Sequence, residues 1–203
     1  DGRITGSTAS LLGLEKALEE RDTAGITDAV SKIGLLYGIV FASPGIPLVY
    51  AGDEIGMLND YSYALDPDKS DDSRWINRPV HDWETVAQLG KSKTPASEIY
   101  QGMRKLISLR RQLPVLADRD NTHFHDAGNE HLFVYERGSG TRDSLLVAAN
   151  FDANPQVLNA SWLQGLGYVN NGTFHNLIDG TPGSIQSGLL ELPPYGLLWL
   201  VKI

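Results

Sequence analysis

Gly45-Ile46-Pro47-Leu48-Val49-Tyr50-Ala51-Gly52-Asp53-Glu54 is the stretch that decides the fold. Residues 47–51 are a short apolar run with β-branched and aromatic members. That composition predicts a strand buried on both faces, the kind found in parallel sheets. Gly52 lets the chain turn, and Asp53 and Glu54 follow at the strand's C-terminal end, where parallel α/β proteins bind their ligands. The alternative for this pair is a buried carboxylate that only ties down the next loop.

Upstream the pattern is helical. Ser7-Thr8-Ala9-Ser10 is an N-cap cluster, and Leu11, Leu12, Leu14, Ala17 and Leu18 line one face behind it, with Glu15, Lys16, Glu19, Glu20 and Arg21 on the other. A break at Asp22-Thr23-Ala24-Gly25 precedes a more apolar helix from Ile26 to Phe41. Gly34 and Gly38 lie one turn apart on it and predict close packing, and Ser43-Pro44-Gly45 ends it. Helix, buried strand and polar strand end form the αβ-repeat pattern. One such unit cannot cover both faces of its strand, so neighbouring strands are expected from outside this sequence.

Downstream, residues 55–94 show little periodicity. They are rich in Asp, Ser, Asn and Pro, with Tyr61, Tyr63, Trp75 and Trp83 among them. A loop of that length in a compact domain is commonly functional, and the four aromatics argue for order. Ala96–Leu113 returns to helix and Pro114 stops it. From Val115 the grammar is β, with strands predicted at 122–125, 132–136, 145–151, 156–159, 173–176, 189–192 and 197–201. Turn residues punctuate them, which suggests an antiparallel sandwich.

Composition sets limits. The chain has 203 residues, a formal net charge of −8 and no cysteine. The last removes disulfides, thiolate metal sites and cysteine nucleophiles. The acid excess argues against nucleic acid as a partner. No window approaches about 18 uninterrupted apolar residues, so no membrane span is predicted. The chain opens without Met and without a signal-peptide pattern, which suggests processing or a longer parent. Localisation stays open between the bacterial cytoplasm and secretion. His123-x-His125, with His131 nearby, raises a metal site, but no third ligand or HExxH pattern supports one, and a solvent-facing pair is expected. Asn159-Ala160-Ser161 and Asn171-Gly172-Thr173 are glycosylation sequons of the kind that arise by chance.

The second constellation is Lys69-Ser70-Asp71-Asp72-Ser73-Arg74-Trp75, followed by Arg78-Pro79. An arginine among acidic neighbours can be a positioned guanidinium whose planar fork suits sugar hydroxyls or a carboxylate that binds them. Trp75 offers an apolar ring to the face of a sugar. The bland alternative is a surface ion-pair network that holds a long loop.

Gly45–Glu54 resembles the eighth-strand motif of the α-amylase superfamily of retaining glycoside hydrolases and transglycosylases. Gly2-Arg3-Ile4-Thr5-Gly6-Ser7, Leu35–Ile39, Gly52–Asp60, Lys69–Trp75 with Arg78-Pro79, Ile99–Gly102 and Pro193-Pro194-Tyr195-Gly196 resemble its amylosucrase branch. The match runs over nearly the whole chain. The resemblance implies α/β plus all-β architecture: residues 1–114 as the last helices, eighth strand and long loop of a TIM (β/α)8 barrel, and 115–203 as an antiparallel β-sandwich. It implies transfer of glucosyl units from sucrose to an α-1,4-glucan, with retention and release of fructose. A sucrose hydrolase of the same branch is the runner-up, and a carbohydrate-binding or structural module the reading of another class.

Retaining chemistry needs two carboxyl groups about 5–5.5 Å apart. In the family these are an Asp on the fourth strand and a Glu on the fifth, with a His-Asp pair after the seventh. His81-Asp82 and His125-Asp126 stand in the wrong context for that pair, so no catalytic residue is assigned in this chain, and the N-terminal remainder of the enzyme is an expected partner. By the same resemblance Arg74 pairs with an upstream Asp at the floor of the glucosyl pocket, Arg3 contacts the fructosyl or acceptor side, and Asp53, Glu54 and Trp75 support the pocket. No metal or organic cofactor is implied.

Overall fold

The computed structural model describes residues 5–91, 93–185 and 187–203. The chain divides into two compact units, one made of the chain up to Gly34 with Leu48–Met103, the other of Leu35–Pro47 with Arg104–Ile203.

The first unit opens with α1 (Thr8–Leu11) and α2 (Leu14–Glu20). One continuous helix was expected here. Gly13, left-handed at φ 96°, splits it in two. Ser7 caps α1, its hydroxyl accepting from the Ser10 N–H at 3.2 Å. Helix α3 (Thr23–Ala42) starts earlier than Ile26 because the Asp22 carboxylate accepts from the Ala24 N–H at 3.1 Å and stabilises the first turn. By length and composition α3 is apolar enough to cross a bilayer. It carries two charged residues, Asp28 and Lys32, which are costly inside a bilayer.

Residues 47–51 do not form the expected strand. Residues 46–50 carry no regular secondary structure and Ala51 begins a turn, with Ile46 97%, Leu48 74% and Tyr50 44% exposed. A strand exists only as part of a ladder, and every strand pairing among the described residues is antiparallel and lies beyond Asn121. No barrel strand is therefore formed in the described part of 1–114. The long segment is ordered by 3-10 turns at Asp53–Ile55, Tyr61–Leu65 and Ser73–Asn77, followed by α4 (Trp83–Gln88) and α5 (Pro95–Gln112).

In the second unit, β1 (Thr122–His125), β2 (Leu132–Arg137), β3 (Leu145–Asn150), β4 (Gln156–Asn159), β5 (Val169–Asn170), β6 (Thr173–Asn176), β7 (Pro182–Ser184), β8 (Leu189–Leu192) and β9 (Leu197–Val201) are joined by one helix, α6 (Ala160–Leu166). The main sheet runs β1-β2-β3-β9-β6-β5, with β7 on β6, and β4 pairs with β8 in a second sheet. Every residue of β3 is buried. One face of the main sheet packs Val134, Leu146, Ala148 and Leu200 against Leu158, Leu163, Tyr168 and Leu192.

The other face receives the end of α3. A Cβ on Gly38 would lie 1.9 Å from Leu197 Cδ2, which meets the close approach expected there, whereas Gly34 has open space. Gly38→Ala is expected to destabilise the unit by about 1–3 kcal/mol through overpacking, read as a lower denaturation midpoint. Gly34→Ala, gaining helix propensity, should stabilise slightly.

The last turn of α3 leaves carbonyls without helical partners. The Arg110 guanidinium donates to the carbonyls of Phe41, Ser43 and Gly45. The fully buried Arg137 donates to the carbonyls of Ala42 and Asp118 and to Asn121 Oδ1. The Tyr135 hydroxyl donates to the Ile39 carbonyl at 3.2 Å. Burial pushes the Tyr135 phenol up to about 12 from 10.0, against the opposing pull of Ser43 and the two arginines. A raised folded-state pKa means this stability is fully present below pH 10 and is lost as pH rises through about 12. The phenolate absorbance missing from Tyr135→Phe should titrate near 12 in the folded protein and near 10 in the unfolded one. Titration near 10 in both would refute the burial argument.

Candidate functional site

The site expected after the apolar run is built on a sharp turn. Gly52 is left-handed at φ 102°, and an added Cβ would lie 2.6 Å from the Met57 sulfur. Both facts demand glycine. The turn sends Asp53 inward, where it is buried and its Oδ2 accepts from the Thr8 hydroxyl at 3.0 Å. Glu54 folds back: Oε2 accepts from the Gly52 N–H at 2.7 Å, and Oε1 lies 3.7 Å from His81 Nε2. The His81 ring meets Trp83 edge-on at 4.6 Å.

Asn59 ties this turn to the first helices. Its Oδ1 accepts from the Ser7 N–H at 2.8 Å, its own N–H donates to the Ser10 hydroxyl at 3.0 Å, and its amide reaches Tyr61 and Glu15 at 3.1 and 3.3 Å. The next residue, Asp60, donates its N–H to the Ile76 carbonyl at 2.8 Å and so brings in the turn that carries Arg74 and Trp75.

That turn is capped by Asp72, which accepts from the Arg74 N–H at 3.0 Å. The same carboxylate receives Arg74 Nε at 2.8 and 3.0 Å on its two oxygens. These bonds from Arg74 hold Asp72 down at about 2 and raise Arg74 above its ordinary range. Because Nε alone makes the pair, the two terminal nitrogens of Arg74 have no protein partner among the described residues, and the side chain is 58% exposed. Lys69 Nζ and the Arg78 guanidinium lie over the Trp75 ring, 5.3 and 5.4 Å from its centre. Lys69 in turn pairs with Asp66 at 2.9 Å. Arg3 lies outside the described residues.

The structure thus gathers the expected residues in two groups, Asp53 with Glu54 and Arg74 with Trp75, linked through Asn59 and Asp60. A cleft of about 570 Å³ opens beside the first group, with Leu14, Leu18 and Ile55 as apolar walls and Asp82, Thr85 and Thr94 at its edge. The arrangement offers a fixed guanidinium with free donors, suited to hydroxyl or carboxylate acceptors. Among the described residues no three His, Asp or Glu side chains cluster as metal ligands.

Sequence reasoning met Asn59 only inside the Gly52–Asp60 segment and His81 only in a His-Asp pair set aside as standing in the wrong context. The bonds of Asn59 to Ser7, Ser10 and Glu15, and the approach of His81 to Glu54, join positions distant in the chain. A buried polar centre in the second unit also went unseen. The Glu136 carboxylate, 3% exposed, meets the Tyr168 hydroxyl at 2.6 Å, His125 Nε2 at 3.3 Å and Lys202 Nζ at 3.6 Å. Burial works to raise the Glu136 pKa, but hydrogen bonds from Tyr168, Ser139, His125 and Ser144 outweigh it and hold the carboxyl below its usual range. His123 faces solvent as expected. His125 does not, because Glu136 and the Trp162 ring draw it inward.

No family model matches the chain. It carries weak homology to members of the α-amylase superfamily. It is 24% identical over 185 residues to the glucosylglycerate phosphorylase of Escherichia coli, covering 91% of this chain and 30% of that protein. It is 25% identical over 179 residues to an α-amylase of Streptomyces lividans, covering 84% of this chain and 18% of the relative. The chain therefore spans less than a third of the length of these two relatives. Its backbone is similar to that of AmyP in complex with maltose, with a TM-score of 0.62 at 18% identity, over 89% of this chain and 35% of the other. That likeness is one of fold, a β-rich unit built on an antiparallel sheet.

Proposed function

We propose that this chain is the C-terminal portion of a sucrose-using glucosyltransferase of the amylosucrase type, which moves glucosyl units from sucrose to an α-1,4-glucan with retention. Residues 1–114 would complete the catalytic barrel and 115–203 would form its β-domain. The observation that carries the reading is the Arg74–Asp72 pair, which leaves two guanidinium nitrogens without a protein partner among the described residues, in a segment that resembles the amylosucrase branch. In this reading Arg74 closes the glucosyl pocket, Trp75 and the Asp53-Glu54 turn support it, and Arg3 serves the fructosyl or acceptor side. The similarity to glycoside-active enzymes, and the maltose held by AmyP, support an α-glucan as ligand. The N-terminal remainder supplies the two catalytic carboxyl groups.

The intact enzyme, given sucrose, should release fructose and build a polymer that stains with iodine. Fructose with free glucose and no polymer would favour the hydrolase. No fructose at all would end the sucrose reading.

A further inference from the structure

Arg74 is exposed, and its partner Asp72 caps the same short turn, so the pair moves with that turn as one piece. Burial does not aim the guanidinium. Whatever fixes the turn aims it. The bonds from Asp72 to Lys69, from Trp75 to Asp72 and from Arg78 to Trp75 are local. A backbone bond that leaves the turn runs from the Asp60 N–H to the Ile76 carbonyl at 2.8 Å. Asp60 follows Asn59, which is bound at both ends of its side-chain amide. Oδ1 accepts from the Ser7 N–H at 2.8 Å, and Nδ2 donates to Glu15 Oε2 at 3.3 Å and to the Tyr61 hydroxyl at 3.1 Å. The Tyr61 hydroxyl donates to the same Glu15 oxygen at 3.0 Å and closes a ring of three side chains. The Asn59 backbone N–H donates to the Ser10 hydroxyl at 3.0 Å.

We infer that Asn59 is a positioning residue for the glucosyl site, resting on the role proposed for Arg74. With Glu15 and Tyr61 it sets the place of the Asp60–Ile76 bond, and through that bond the aim of the guanidinium. The chemistry of the position asks for an amide. The Ser7 N–H needs an acceptor and the Glu15 carboxylate a donor, and an amide side chain carries both. Aspartate would set a second negative charge against Glu15. Alanine would leave the N–H of Ser7, a residue only 8% exposed, without its acceptor. A small shift of a group that holds a substrate is enough to cost rate.

A double-mutant cycle in the complete enzyme of the proposed function tests this, read as kcat and KM for sucrose beside the denaturation midpoint. Asn59→Ala should lower kcat/KM about tenfold, less than Arg74→Ala, because Asp72 still grips the arginine. In the Arg74→Ala background the same substitution should change kcat/KM by less than about twofold, since Asn59 acts through the arginine. Equal losses with and without Arg74 would overturn the inference and leave Asn59 a residue of the fold alone. Asn59→Asp should also lose activity at neutral pH. Joined to Glu15→Gln, which exchanges donor and acceptor across the same contact, it should recover most of the loss. An exchange pair that regains the parent midpoint but not the parent kcat/KM would overturn the route through Glu15. If Asn59→Ala fails to fold, Asn59→Asp with and without Glu15→Gln carries the cycle in its place. If the parent releases no fructose, the sucrose reading falls, and the cycle is read on calorimetric titration with maltose. Coupling of Asn59 to Arg74 there upholds the positioning role, and additive losses end it. A parent that neither releases fructose nor binds maltose has no glucosyl site for Asn59 to serve, and both readings fall.

Discussion

Replacing Arg137 by methionine is expected to destabilise the β-rich unit by about 3 kcal/mol or more. The guanidinium is completely buried and serves three acceptors: the carbonyls of Ala42 and Asp118 and the Asn121 side chain. Methionine fills much of the volume but donates nothing. Each acceptor stranded away from water costs about 1–3 kcal/mol, of which relaxation and water entry recover part. Lysine should rescue little, because an ammonium cannot reproduce the planar fork that spans separated acceptors. Arg110, half exposed and serving the neighbouring carbonyls, should cost less on removal. Urea denaturation followed by far-UV dichroism reads the difference. An Arg137→Met midpoint equal to that of the parent would mean that these carbonyls find other donors. Amide exchange gives a second readout, since the end of α3 and the start of β1 should lose protection together.

Most strands were legible because their alternation and their turn residues agree, and β3 and β9 declared themselves by continuous apolar runs. What escaped did so for identifiable reasons. Strand β5 has two residues and β7 begins at a proline, so neither carries a periodic signal. Helix α6 hides behind Asn159, which in the sequence marks a turn or a sequon and in the structure caps the helix by accepting from the N–H groups of Ser161 and Trp162 at 2.8 and 3.2 Å. Conversely, Pro47–Ala51 has the composition of a buried strand and no ladder to join. Leu48 and Tyr50 are exposed and Pro47 and Val49 only partly buried, because pattern specifies the propensity and pairing supplies the strand. In the candidate site, the Arg74–Asp72 pair was within reach of sequence reasoning, being local. The Asn59 contacts to Ser7 and Ser10 bridge some fifty positions and follow only from the fold. Glu136 looked like an ordinary polar residue at a strand end. Its burial depends on Tyr168, His125 and Lys202, three segments that meet only once the sheet is assembled.

Under the proposed function, replacing Arg74 by alanine is expected to lower kcat/KM for sucrose on the order of 10²-fold, the scale of loss that follows when a reacting group is no longer held in place. In the parent, Asp72 grips Nε and so orients the guanidinium plane, and the terminal donors have no protein partner among the described residues. Asp72 is depressed to about 2 by the hydrogen bonds it receives from Arg74, so the pair remains charged down to strongly acid conditions. The sign is that of a lowered carboxyl: the pairing is fully present above the ordinary 3.8 and is lost as pH falls through about 2. The Arg74 contribution should therefore be flat across neutral pH, and any bell in the rate profile must come from other groups. Arg74→Lys should recover only part of the loss, because one ammonium cannot both pair with Asp72 and present two further donors. Asp72→Asn, which keeps the turn cap but removes the charge partner, should cost less than Arg74→Ala. If Arg74→Ala instead leaves kcat/KM within twofold of the parent while the denaturation midpoint falls, the arginine merely fastens the loop. The bland reading of the acidic segment, an ion-pair network at the surface, would then be correct.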